Sequence, residues 1–306
     1  MKAIPVALSA FLLVAFFATA SMAQVQRTFV SGFGSDANPC TRIAPCRTFG
    51  QAISLTNPGG EVIVLDSAGY GAFAIIQAVS IVAPPGIYAG ISVFSGNGID
   101  ISVGDSDTVI LRGLTINNQG STLGGILYSS GGTLHVESCV VSGFSSGAGL
   151  FSNGPGNLEI KDSIMRGDAN GIFVQPLSGT ATASIEKVRL ESCSTGLGAG
   201  SGSTVTVRGS IASGNETGFS AASVDSRPAE LNLEKCVASN NSMDGISALS
   251  GSTGVATVRL SNSTVTNNSR GLSNGGSPAV LLSRGNNTVE GNVTNTNGTI
   301  GSYSSK

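Results

Sequence analysis

Apolar and polar residues alternate in short runs that return every roughly 22 to 27 residues, the self-similarity that marks a repeat architecture. Aligned, the runs read Val109-Ile-Leu-Arg112, Leu134-His-Val-Glu137, Leu158-Glu-Ile-Lys161, Ala183-Ser-Ile-Glu186, Val205-Thr-Val-Arg208, Leu231-Asn-Leu-Glu234 and Ala256-Thr-Val-Arg259, with Val280-Leu-Leu-Ser283 as a fading last copy. A period of two predicts strands with one buried face. A second marker keeps the same spacing: Gly125-Ile126, Gly149-Leu150, Gly171-Ile172, Gly196-Leu197, Gly218-Phe219, Gly245-Ile246 and Gly271-Leu272. A unit of about 24 residues with three short β-runs and no helical periodicity cannot bury its apolar face alone, whereas stacked units can. The expected fold is all-β, a right-handed single-stranded parallel β-helix, or solenoid. Neither the leucine-rich-repeat consensus nor the calcium-binding nonapeptide of other solenoids occurs.

The fourth position of each run should point outward and stack coil upon coil at roughly 4.8 Å. It reads Arg112, Glu137, Lys161, Glu186, Arg208, Glu234, Arg259, alternating in sign throughout. A stacked column needs that order, because like charges directly opposite are destabilising. A structural charge ladder is expected here.

Ahead of the repeats, residues 1–23 carry Lys2, an apolar run from Val6 to Ala18 and a small-x-small site at Ser21-Met-Ala23, the features of a secretory signal peptide cleaved near Ala23. The run is too short to span a bilayer comfortably, so no membrane span is expected. The mature protein should be secreted or periplasmic. Residues 24–60 read as an N-terminal cap, 61–284 as the coils, and 285–306 as a ragged last coil with a polar tail. Within the cap, Phe49, Ala52 and Ile53 fall at helical spacing behind Thr48, and Asn57-Pro-Gly-Gly60 stops the element, so a short N-terminal capping helix is predicted. Cys40 and Cys46 bracket a small loop and should be disulfide-bonded in an oxidising compartment. Cys139 and Cys236 share a repeat position four coils apart, too far to pair. With Cys193 they are expected to be reduced core residues.

Gly34-Ser-Asp-x-Asn-Pro, then Pro45-Cys-Arg-Thr-Phe-x-x-Ala-Ile53, then Pro58-Gly-Gly-Glu-Val-Ile-Val with Gly69-Tyr70, resembles the N-terminal cap of secreted bacterial proteins of the pectate-lyase-like right-handed β-helix superfamily. The resemblance implies the fold over the whole mature chain. That superfamily holds polysaccharide lyases, hydrolases, esterases and epimerases beside surface proteins, so it implies function more loosely.

A net charge of −2 gives no basic surface for nucleic acid, and no nucleic-acid partner is expected. Among candidate chemistry, Asp105 and Asp107 in Gly-Asp-Ser-Asp-Thr are the most visible carboxylate pair for glycoside hydrolysis. A turn before the Val109 strand explains them equally. Asp162 and Asp168 flank Arg166 and could form a cluster with Glu137 or Glu186, or be ordinary surface pairs. The one histidine, His135, sits at an outward position and leaves multi-histidine metal sites and a Ser-His-Asp triad unsupported. No metal and no cofactor are expected. Asparagines at the coil corners should bond neighbouring backbone or stack in ladders. Finally, Leu127, Phe151 and Phe173 follow the Gly-apolar step on three consecutive coils, where later coils carry Gly198, Ser220, Ser247 and Ser273. Such an outward apolar stripe is either covered by a loop or tail, or is a ligand-binding platform. The function read from the chain is non-catalytic binding of polysaccharide or a cell-envelope component, with a polysaccharide lyase or hydrolase as the alternative.

Overall fold

In the computed structural model, which describes residues 24–251 and 253–304, three parallel sheets of twelve, ten and ten strands form a right-handed solenoid of about 9 turns. The expected signal peptide, residues 1–23, lies outside the described residues. One coil shows the construction: Thr133–Glu137 belongs to the first sheet, Val140–Ser142 to the second and Ala148–Ser152 to the third, after which Asn157–Lys161 returns to the first. Alternation turns Leu134, Val136, Val141 and Leu150 inward, where each is fully buried. Their equivalents in every coil stack into continuous columns, so no unit holds a core of its own.

Two of the three corners are fixed. Between the first and second sheets one residue takes the left-handed conformation in each coil, as at Ser138 (φ 53°), Asp162 (φ 49°), Lys187 (φ 54°) and Lys235 (φ 55°). Side chains pay about 1 kcal/mol or more for that conformation, so neighbouring coils must impose it. They do so partly through hydroxyls beneath the turn: Ser163 Oγ accepts from the Cys139 amide at 3.1 Å, Ser210 from Val188 at 3.1 Å and Ser263 from Cys236 at 3.0 Å. Under the second corner runs a buried asparagine ladder. Asn215 Oδ1 accepts from the Cys193 amide at 2.8 Å, Asn241 from Asn215 at 3.0 Å, Asn268 from Asn241 at 3.0 Å and Asn292 from Asn268 at 3.0 Å. The glycines of the Gly-apolar steps make room for it. A Cβ on Gly218 would lie 3.0 Å from Asn241 Nδ2 and 2.5 Å from the Gly245 carbonyl oxygen.

At the N-terminal end Val25–Val30 pairs with Thr56–Val64, and Cys40 is bonded to Cys46. A helix spans Phe49–Ser54, with Thr48 Oγ1 accepting from the Gln51 amide at its start and Leu55 ending it. Its buried Phe49 packs on Tyr70 and Phe73 with ring centroids 5.2 Å and 4.6 Å away. The Asn57-Pro-Gly-Gly60 run lies one step beyond the helix, as an irregularity within the pairing of the first two strands. At the other end, Thr288–Val289, Thr294–Asn297 and Ile300–Ser302 extend all three sheets. The described tail therefore continues the coil.

One register differs from the sequence alignment. Glu234 lies beside Ser261, and Arg259 lies beside Asn232. Arg259 is thus outside the expected charge ladder, and Val280 aligns with Thr257. The two-residue shift at Arg259 keeps every side chain on its own face, so alternation alone cannot detect it; the one-residue shift at Val280 changes face, leaving Val280 half-buried and Leu281 in the core.

Candidate functional site

On the outer face of the third sheet a single column reads Ala74, Asp100, Leu127, Phe151, Phe173, Gly198, Ser220, Ser247, Ser273 and Asn297. Leu127, Phe151 and Phe173 are consecutive and half-buried. The two rings stack with centroids 5.5 Å apart and planes inclined by 21°. Phe173 leans over Gly198, where a Cβ would sit 2.7 Å from the ring. Asn97, Thr122, Leu123, Ser146 and Asn153 rim a depression floored by Leu127 and Phe151. The described C-terminal strands stay in the stack, so the tail seen here does not lie over the stripe.

At one end of the stripe stands the exposed Asp100, beside Leu127 and accepting from Asn97 Nδ2 at 2.7 Å, and most of the other groups around it are uncharged. The neighbouring column runs Ala148, Asn170, Thr195 and Thr217, and its next members, Asp244 and Arg270, neutralise each other through contacts of 2.6 and 3.0 Å. Beyond Gly198 the floor is hydroxyl-lined, with Ser247 and Ser220 oxygens 3.0 Å apart.

The first sheet presents charge instead. Arg112, Glu137, Lys161, Glu186, Arg208 and Glu234 lie side by side on successive strands, with Arg112 and Glu137 in direct contact at 2.7 Å. Glu186 reaches Lys187 at 3.7 Å. Arg259, two residues out of line, meets Glu230 at 3.0 Å and Asn232 at 3.3 Å. His135 is half-buried and contacts Glu159 at 3.1 Å. Other carboxylates have partners too: Glu61 with Arg27, Glu191 with Arg189 and Asp225 with Arg227.

The other candidate acids form two separate sets, with Asp105 exposed in the same turn as the half-buried Asp107. Asp107 Oδ2 accepts from the Gly104 amide at 2.9 Å, closing its own turn in front of the Thr108–Arg112 strand. Asp162 is an exposed corner residue, whereas Asp168 is turned inward and 2% exposed. Asp168 Oδ1 accepts from the Phe144 amide at 2.8 Å, and its Oδ2 is buried without a partner. Burial pushes its carboxyl up to about 7, against the lowering effect of the Phe144 amide. Near the N-terminal end, Asp66 is held below the usual carboxylate range despite the opposing effect of burial, by bonds from the Gly32 amide and the Ser31 and Tyr70 hydroxyls. Burial also lifts the thiols of Cys139, Cys193 and Cys236 to about 11. Sequence reasoning missed the inward turn of Asp168 and the Asp244 with Arg270 pair. The constant interval from the charged column to the corner, as from Lys161 to Asp168 and from Arg208 to Asn215, was the signal that could have found the first.

Comparison with known proteins places this geometry. A family model described as the right-handed β-helix region matches residues 97–294. Among solved structures, pectate lyase Pel9A superposes with a TM-score of 0.68 at 16% identity, over 90% of this chain and 80% of the lyase. An alginate lyase from Paenibacillus sp. str. FPU-7 does so with a TM-score of 0.56 at 14% identity, over 90% and 99%. No curated protein matches the sequence. At these identities the likeness concerns the fold.

Proposed function

The chain belongs to the right-handed β-helix family, and on that premise we propose that it is an exported protein that binds polysaccharide or a cell-envelope glycan on the outer face of its third sheet without cleaving it. The observation that carries this reading is the half-buried stack of Leu127, Phe151 and Phe173 on a face lined mostly by hydroxyls and amides, with Asp100 at one end and the mutually neutralised Asp244 and Arg270 further along. Sugar rings have apolar C–H faces and polar rims, and protein sites for them combine aromatic surface with a few hydrogen-bonding groups. Both components stand side by side here.

Glycoside hydrolysis would require a pair of convergent carboxylates, and elimination a basic residue poised to take a proton. Asp105 and Asp107 share one turn, which Asp107 closes by accepting from the Gly104 amide, and the other outward acids lie on separate strands, many of them against a cation. Export is part of the same reading, supported by the Cys40–Cys46 bond and by the leader-like composition of residues 1–23.

The test is a panel of purified polysaccharides assayed both for retention of the mature protein and for released product. Retention without product is expected. Phe151→Ala should weaken retention about fivefold or more, since an aromatic contact is worth on the order of 1 kcal/mol, while the melting temperature changes by a few degrees at most. A large loss of stability on that substitution would make the stripe a packing element, and product release from any glycan would make the protein an enzyme.

A further inference from the structure

Asp168 occupies a rung of the corner column that holds Cys193 in the next coil and asparagine from Asn215 onward. In each asparagine rung the amide does two jobs. Its Oδ1 accepts from the backbone of the preceding coil, and its Nδ2 donates to a carbonyl at the centre of that coil's second-sheet strand: Asn215 to Leu190 at 3.0 Å, Asn241 to Ala212 at 3.3 Å, Asn268 to Ala238 at 3.0 Å and Asn292 to Val265 at 2.9 Å. Asp168 performs the first job through Phe144. For the second it offers Oδ2, which lies near Gly149 as Asn215 Nδ2 lies near Gly196. The strand register, in which Leu190 pairs with Met165 and Met165 with Val141, makes the Val141 carbonyl the acceptor equivalent to Leu190. A carboxylate cannot donate to it, and a carboxylic acid can.

We propose that Asp168 keeps its proton in the folded protein and donates it to the Val141 carbonyl, making this rung a proton-operated latch at the head of a ladder whose rungs from Asn215 onward are asparagine. The latch joins two particular coils. Phe144 leads into Ala148–Ser152, which carries Phe151, and Asp168 leads into Asn170–Val174, which carries Phe173.

No nearby charge offsets a carboxylate there. Cys193, the titratable group next in the column, is neutral because burial holds its thiol at about 11. Arg166 and Glu191 stand on the outer face of the second sheet, Glu191 against Arg189, and Glu216 is exposed at the next corner. The sign follows from the raised folded value, about 7 against roughly 4 in an unfolded chain. Between those values the folded protein binds more protons than the unfolded one, so stability falls as pH rises through the window and levels off above it.

Thermal melts of the mature protein at pH 5 and pH 8, beside Asp168→Asn, test this. Asparagine supplies the donor at every pH. The variant should therefore melt on the order of 5 °C or more above the wild type at pH 8 and within about 2 °C of it at pH 5. Parallel pH dependence of the two proteins, or a variant that melts lower at pH 8, overturns the latch. Should the variant fail to fold, the carboxyl carbons of the wild type report directly by ¹³C NMR. One aspartate titrating near neutrality together with the Phe144 amide supports the proposal, and all aspartates titrating below pH 5 reject it. Neither measurement depends on whether the stripe binds a glycan.

Discussion

Single buried polar atoms decide how the corners hold. Asn241 is bonded on both sides, accepting from the Asn215 amide at 3.0 Å and side chain at 3.1 Å and donating to Asn268 Oδ1 at 2.8 Å. Asn241→Ala should orphan a buried amide and cost on the order of 2 to 4 kcal/mol in a urea titration, more than the lost hydrogen bonds alone would suggest. The three unpaired thiols, raised to about 11 by burial, should be almost wholly protonated at pH 8 and shielded. Native protein should therefore leave a thiol reagent unconsumed, while denaturation exposes three reactive groups. Much at this scale was legible beforehand. The chain placed Cys40 and Cys46 in one loop, and it marked the corner asparagines for backbone bonding. Asp168 was not legible, because an acid beside Arg166 looks like surface charge until the corner interval turns it inward.

Strands read clearly in the sequence because each alternates with period two, and the element scale is where that clarity has a limit. Period two fixes which face a residue takes but leaves shifts of two residues open. That is why Glu234 and Arg259 looked like neighbours while the structure sets Arg259 against Glu230 and Asn232. A double-mutant cycle separates the two pairings. Arg259 and Glu230 should couple by about 0.2 to 1 kcal/mol, as expected for a pair this exposed, and Arg259 with Glu234 should show no coupling. Within the column that does align, Lys161 lies between Glu137 and Glu186. Lys161→Glu should lower stability by roughly 0.5 to 2 kcal/mol, with partial recovery at high salt. An unchanged melting temperature at low salt would show that these side chains do not sense one another.

For the molecule as a whole, stability is a sum over coils and their interfaces, and its two ends differ. The N-terminal segment buries Phe49, Ala52, Ile53 and both bonded cysteines, whereas Thr294–Asn297 is exposed throughout. Truncation after Arg284 should leave a cooperatively folded protein with a modest fall in melting temperature, while removal of residues 24–60 should abolish the sharp transition. The repeat was legible at this scale because two markers keep step along the chain, and its right hand was implied by the resemblance of the N-terminal motifs to the β-helix superfamily. The stripe was legible as a pattern, and its stacking and surroundings were not, because they depend on which residues the coil brings alongside. The corners carry one more consequence. Glu137 to Phe144, Lys161 to Asp168, Glu186 to Cys193 and Arg208 to Asn215 are equal intervals, but Phe151 to Lys161, Phe173 to Glu186 and Ser220 to Glu234 are not. The first corner and the second-sheet strand are therefore stitched, residue for residue, to the turns above and below; the step from the second corner into the third sheet gives a little, as Phe144 to Phe151 and Asp168 to Phe173 differ, and the return from the third sheet to the first holds most of the slack in the thread. Whatever this protein acquires by insertion, in evolution or by engineering, has the return to the first sheet as its roomiest side on which to grow, and a foreign loop spliced between Ser178 and Gly179 should be carried without disturbing the winding.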